Sequence, residues 1–176
     1  MQFEKTKISG VYKISPKKIE DSRGFFARTF CQQEFEKYNL KTNWVQQNIS
    51  FNKFAGTIRG MHYQKAPFSE AKLISCRRGQ IFLVVLDIRP DSVTFQQSES
   101  FELNDFNYET IYLPAGLANG FQTLVDNTEI FYQMSEYFHP DSAEGIRYND
   151  SFWNISWPLT ITEISPKDQC WPDYPT

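Results

Sequence analysis

Residues 71–88 read AKLISCRRGQIFLVVLDI, and this stretch decides the fold. Ala71–Cys76 has the make-up of a strand, Arg77–Gln80 reads as a tight turn around Gly79, and Ile81–Ile88 is an apolar run of eight residues. A run of that length, apolar on both sides of the pleat, predicts a strand covered on both faces. Pro90-Asp91-Ser92 then ends it.

Working outward, the same signals repeat. Downstream, residues 93–103 (VTFQQSESFEL) alternate and Glu109–Leu113 is a further strand. PAGLANGF, residues 114–121, carries Gly116 and Gly120 and reads as a tight bend joining two strands. TEIFYQMSEY, residues 128–137, places Ile130, Tyr132, Met134 and Glu136 on one face. Upstream, Gly10–Pro16 alternates. IEDSRGFFARTF, residues 19–30, reads as a turn at Asp21-Ser22-Gly24 and a strand over Phe25–Phe30. Gln32–Tyr38 is the one convincing short helix. Trp44–Phe51 returns to strand, with Gln46, Asn48 and Ser50 on one side and Val45, Gln47 and Ile49 on the other. Gly56 and Gly60 bracket a short strand, Thr57–Arg59. From Ser142 the tail is rich in Trp, Pro and Asp and is expected to hold no helix, with Trp153, Trp157 and Trp171 covering one end of the barrel. Many short strands with regular turn signals indicate an all-β sandwich or barrel forming one domain over residues 1–176.

Composition narrows the function classes. A formal charge of −3 argues against nucleic acid or an anionic membrane as a general partner. No apolar run is long enough to span a bilayer, and the N-terminus carries charge where a signal peptide needs its apolar segment. Cys31, Cys76 and Cys170 are scattered without a CxxC pair, which fits free thiols in a reducing cytoplasm. With only two histidines, His62 and His139, and no HxH or HExxH spacing, no metal site is expected.

The chemistry concentrates in GTIRGMHYQKAPFSEAKL, residues 56–73, which brings His62, Arg59, Tyr63, Gln64 and Lys72 together on strand-like backbone. A hairpin with an exposed basic side is the structural alternative. The functional reading is general acid–base chemistry on an anionic, oxygen-rich substrate. An imidazole titrates near ~6.5 and suits proton abstraction near neutral pH. Lys72 is placed to stabilise an oxyanion, and a tyrosine on a facing strand to return a proton. Spacing alone does not say which tyrosine or carboxylate partners His62.

Over nearly its whole length the chain resembles the dTDP-4-dehydrorhamnose 3,5-epimerase family. The resemblance rests on DSRGFFARTF, QQNIS, GTIRGMHYQ, EAKL, VVLDIRPDS, PAGLANGF, EGIRYND and SPKD, in that order. It implies a cupin-like jelly roll with short peripheral helices, a homodimer, and a nucleotide-linked 4-keto-6-deoxy sugar as substrate in surface-polysaccharide biosynthesis. Neither metal nor cofactor is implied. In the same terms His62 is the base acting at C3 or C5, Asp168 the carboxylate that orients it, Lys72 the enolate contact and Tyr132 the returning acid. Arg59 and Arg23 match phosphate or sugar contacts, Arg23 being lent by the partner subunit. Gln46 and Asn48 match polar lining near the nucleotide. Lys167, beside Asp168, is counted with the substrate contacts.

The departures concern specificity. A family histidine is Asn119 here, a family glutamate is Arg28, and the second tyrosine of a pair is Phe138. One residue is inserted between Asn48 and Gly56. Asn119 can hydrogen-bond a sugar hydroxyl but carries no charge, and Arg28 reverses a charge. Both are counted as substrate contacts, and together they suggest a changed base or sugar, a GDP-linked 4-keto-6-deoxy heptose being the candidate. A single-centre 3-epimerase or ketoisomerase, and a non-catalytic sugar-nucleotide-binding cupin, are the alternatives.

Overall fold

The computed structural model describes residues 1–175. In chain order the elements are β1 (Gln2–Lys5), β2 (Tyr12–Ser15), β3 (Lys18–Asp21), β4 (Gly24–Ala27), α1 (Gln32–Glu36), β5 (Gln46–Asn52), β6 (Thr57–Gln64), β7 (Lys72–Arg78), β8 (Gln80–Asp87), β9 (Ser98–Asn104), β10 (Thr110–Leu113), β11 (Leu117–Thr123), β12 (Thr128–Met134), β13 (Ala143–Gly145), β14 (Glu163–Ile164) and α2 (Pro166–Gln169). One sheet runs β1-β2-β10-β7-β12-β5 and the other β13-β6-β11-β8-β9, with β14 added beside β6. β3 and β4 form a separate hairpin. The fold is an all-β, cupin-like jelly roll with short peripheral helices.

The apolar pattern explains the layering. Ile74, Cys76, Ile111, Leu113 and Ile130 of the first sheet meet Ile81, Leu83, Val85, Leu103 and Phe121 of the second in one buried cluster. The alternate residues of β8, Val84 and Leu86, face the other way and are covered by Ile146 and Trp153. β8 is therefore buried on both sides, as its unbroken apolar run requires. Phe35 of α1 plays the same part on the first sheet, packing on Ile14, Leu73 and Tyr112.

Several expectations are corrected. The bend expected over PAGLANGF is confined to residues 114–116, which join β10 to β11: residues 117–123 form β11, a central strand with β6 on one side and β8 on the other. The short strand at Thr57–Arg59 continues through Gly60 to Gln64 as β6. One feature explains both. A Cβ on Gly60 would lie 2.6 Å from Gly120 Cα, and one on Gly120 would lie 2.9 Å from Arg59 O. These glycines let two backbones touch within the sheet instead of ending the strands. The tail does contain a helix, α2, started by Ser165 and Pro166. β4 stops at Ala27, short of Phe30. Trp153 and Trp157 lie on the outer face of the second sheet, not across a barrel end.

Candidate active site

A β-bulge sets up the first wall of the site. Asn119 pairs with His62 and Phe121 with Arg59, so two steps along β11 match three along β6. The extra residue breaks the period-two alternation of β6 and brings Arg59 and His62 to the same face. They line a cavity of ≈350 Å³ with Asn119 and Phe121 of β11. Lys72 and Ile74 of β7 and Ile130 and Tyr132 of β12 form the facing wall. A recess of ≈320 Å³ shares Arg59, His62, Lys72 and Tyr132 with it and extends to Phe138, Lys167, Asp168 and Trp171. A base and a phenol thus stand on opposite sheets, with a cation beside each: Arg59 on the His62 side and Lys72 on the Tyr132 side.

His62 is held from behind. β14 runs parallel to the start of β6, pairing Ile164 with Ile58, and delivers α2 beside the bulge. Ser165 caps α2 by accepting from the Asp168 N–H at 3.0 Å. Asp168, 5% exposed, then places Oδ1 2.6 Å from His62 Nε2. The same oxygen accepts from Trp171 Nε1 at 3.1 Å, and Oδ2 accepts from the Gly60 N–H at 3.3 Å. Burial works to push the Asp168 carboxyl up, but the hydrogen bonds and charge of His62, with Trp171 and Gly60, outweigh it and hold it below the usual carboxylate range. A carboxylate at Nε2 fixes the neutral imidazole with its proton on that nitrogen and leaves Nδ1 as the basic atom. Trp171 fits because Gly145, paired with His62, has no side chain: a Cβ there would fall 2.5 Å from the indole.

On the facing wall, burial raises the Tyr132 hydroxyl above its ordinary value, with Glu70 adding to this and Arg59 opposing it. Lys72 Nζ lies 2.9 Å from Glu70 Oε1 and donates to Asn119 Oδ1 at 3.0 Å. Arg59 is oriented by Asn52, which accepts from its Nε at 2.7 Å.

Seven of the expected site residues therefore line one continuous hollow: Arg59, His62, Lys72, Asn119, Tyr132, Lys167 and Asp168. Gln46 and Asn48 stand beside it without lining it. Gln46 Oε1 accepts from the Phe138 N–H, and both amides approach Met134 Sδ. Arg23 and Arg28 are elsewhere. Arg23 sits at the β3–β4 turn, 88% exposed and paired with Asp21; Arg28 pairs with Glu34. Glu70 is assigned no role by the sequence, and Trp171, expected to cover a barrel end, instead lines the site beside Asp168. The capping pattern Ser165-Pro166-x-Asp168 is a signal that would have found α2 and hence Trp171's place. His139 stacks on Phe68 at 3.7 Å between centroids.

Residues 5–175 match the model of the dTDP-4-dehydrorhamnose 3,5-epimerase family. An enzyme of that name from Sinorhizobium fredii is 36% identical, covering 98% of this chain and 89% of the relative. The crystal structure of one from Bacillus anthracis, with TDP and PPi bound, superposes with a TM-score of 0.95 at 35% identity, covering 98% of this chain and 99% of that one. The dTDP-6-deoxy-D-glucose-3,5-epimerase of Legionella pneumophila, in complex with dTDP-4-keto-L-rhamnose, gives 0.89 at 32% identity, covering 99% of each chain.

Proposed function

Because the chain belongs to the dTDP-4-dehydrorhamnose 3,5-epimerase family and is an isomerase of the carbohydrate-epimerase type, we propose that it inverts C3 and C5 of a dTDP-linked 4-keto-6-deoxy sugar. The observation that carries this reading is the His62–Asp168 pair facing Tyr132 across the cavity, with Lys72 beside Tyr132 in the facing wall.

In each half-reaction His62 Nδ1 takes the proton from a carbon beside the C4 ketone. The C–H electron pair becomes the enolate double bond, and the carbonyl pair moves onto oxygen. Lys72 offers an N–H to that oxygen, a donor fixed in place before charge develops. Tyr132 gives its proton to the carbon from the other face, so configuration inverts, and recovers a proton from solvent. Asp168 keeps the imidazole in the required tautomer and offsets its charge once protonated. Arg59 and Lys167 meet the diphosphate. The reading calls for no redox cofactor and no metal, because the ketone already acidifies the neighbouring carbons.

The thymidine-linked substrate is preferred because the relatives described above bind TDP or a dTDP-sugar. The GDP-linked heptose suggested by Asn119 and Arg28 has no support among them, and Arg28 lies outside the cavity, paired with Glu34. The reading also makes the protein a homodimer. The β3–β4 hairpin leaves Ile19 63% and Phe26 68% exposed with Arg23 at its tip, an arm suited to closing over a partner's nucleotide. The free cysteines suit action in the cytoplasm.

Proton NMR of the product formed from a dTDP-linked 4-keto-6-deoxyhexose tests the reading. Inversion at both C3 and C5 is expected. Inversion at C3 alone would establish the single-centre alternative, and tight binding without turnover the non-catalytic one. Stronger competition by GDP than by dTDP would overturn the choice of base.

A further inference from the structure

One charged group in the cavity wall has no task in the proposed reaction. Glu70 lies between β6 and β7, its side chain 4% exposed. Its place is fixed through Ala71, whose N–H donates to Ser135 Oγ at 2.8 Å and whose carbonyl accepts from the Ser135 N–H at 3.0 Å. Oε1 lies 2.9 Å from Lys72 Nζ, while Oε2 is buried with no hydrogen-bond partner among the described residues. A buried carboxylate with one orphaned oxygen is a costly way to hold a fold together.

Across the cavity, Asn119 Oδ1 accepts from the same ammonium at 3.0 Å. The amide orientation is forced, since its nitrogen is a donor and would oppose another donor. Glu70 precedes β7 of one sheet and Asn119 sits on β11 of the other, so Lys72 is gripped from both sheets. An ammonium has three donors. Two are taken by these partners and one remains.

We propose that Glu70 is a positioning residue which, with Asn119, clamps the Lys72 ammonium between the sheets so that its one remaining N–H meets the substrate's ketone oxygen. This rests on the proposed function. A lysine side chain is long and flexible, and a donor already held in place needs no reorganisation when the enolate forms. The carboxylate has a second effect, since its charge adds to burial in keeping the Tyr132 hydroxyl protonated. The other charged or titratable groups lining the hollow around Tyr132 are Arg59, His62, Lys72, Tyr63, Glu144, Lys167 and Asp168.

Glu70→Ala and Glu70→Gln, assayed beside the wild type for turnover of the dTDP-linked keto sugar and for deuterium uptake from D2O, test this. Glu70→Ala is expected to lower kcat by about 10- to 100-fold with KM within about threefold. Glu70→Gln keeps an acceptor for Lys72 and is expected to lose less than about tenfold. In both, the alkaline limb of the rate profile moves to lower pH because the charge near Tyr132 is gone. Wild-type kcat in Glu70→Ala overturns the clamp. So do equal losses in both variants with an unmoved alkaline limb, which would mark a structural ion pair. Should Glu70→Ala fail to fold, an unmoved limb in Glu70→Gln overturns it alone. No uptake by the wild type would defeat the proposed function and the clamp together; wild-type uptake with unimpaired variants defeats only the clamp.

Discussion

His62 Nε2 and Asp168 Oδ1 lie 2.6 Å apart although 106 residues separate them in the chain. The contact depends on β14 running beside β6 and on Ser165 starting a helix where the tail reaches the bulge. Asp168→Asn keeps the size of the side chain but can present an N–H to Nε2 and reverse the tautomer. Its kcat is expected to fall by about 10²- to 10⁴-fold with little change in KM. Steady-state kinetics on a variant with unchanged circular dichroism checks this, and a loss below about tenfold would remove Asp168 from the mechanism.

Tyr132→Phe separates proton removal from proton return. The ring still packs between the sheets, but nothing delivers a proton to the opposite face. Deuterium exchange next to the ketone should persist while inversion falls by about 10²-fold or more. In the wild type, activity that needs the protonated phenol should hold through the ordinary tyrosine range and fall only at higher pH, because burial raises this group. An alkaline limb well below pH 10 would contradict that assignment.

Gly60→Ala tests the bulge. Gly60 has φ +121° and faces Gly120 Cα at 2.6 Å from an added Cβ, so neither the backbone nor the neighbour can yield cheaply. A loss of at least about 3 kcal/mol in urea unfolding is expected. Activity should fall further than stability explains, since Arg59 and His62 depend on the same bulge.

The acid limb of stability should be set largely by a group that does not line the cavity. Asp87 is fully buried. Burial alone would raise its carboxyl, but Arg89, Ser92 and Thr94 together bring it from 3.8 down to about 2. A depressed folded value means the stabilisation is present above the unfolded value near 4 and is lost as pH falls through about 2. Asp168, also depressed, acts in the same direction. Asp87→Asn should cost about 2 kcal/mol at pH 7 and progressively less below pH 4, measured by urea unfolding at several pH values.

What could be read from the sequence follows physical lines. Ile81–Ile88 announced a doubly covered strand because both its faces meet apolar layers. Gly116 and Gly120 looked alike in sequence, yet Gly116 makes a turn at φ +87° while Gly120 lies within a strand against Gly60. Period and composition do not encode which backbone approaches. Along β5 the polar residues Gln46, Asn48 and Ser50 are the half-buried ones and Ile49 is 64% exposed, the reverse of a core-facing strand. The side of a strand that faces a cavity is set by what lies opposite. Glu70 was visible two residues before Lys72, but its burial depends on Ser135, far along the chain.

The most direct measurement is deuterium incorporation from D2O into a dTDP-linked 4-keto-6-deoxyhexose, followed by mass spectrometry for the wild type and His62→Ala. The account predicts two deuterons, at C3 and C5, with the wild type and loss of both by at least about 10²-fold in His62→Ala. Uptake at an undiminished rate in His62→Ala would contradict it.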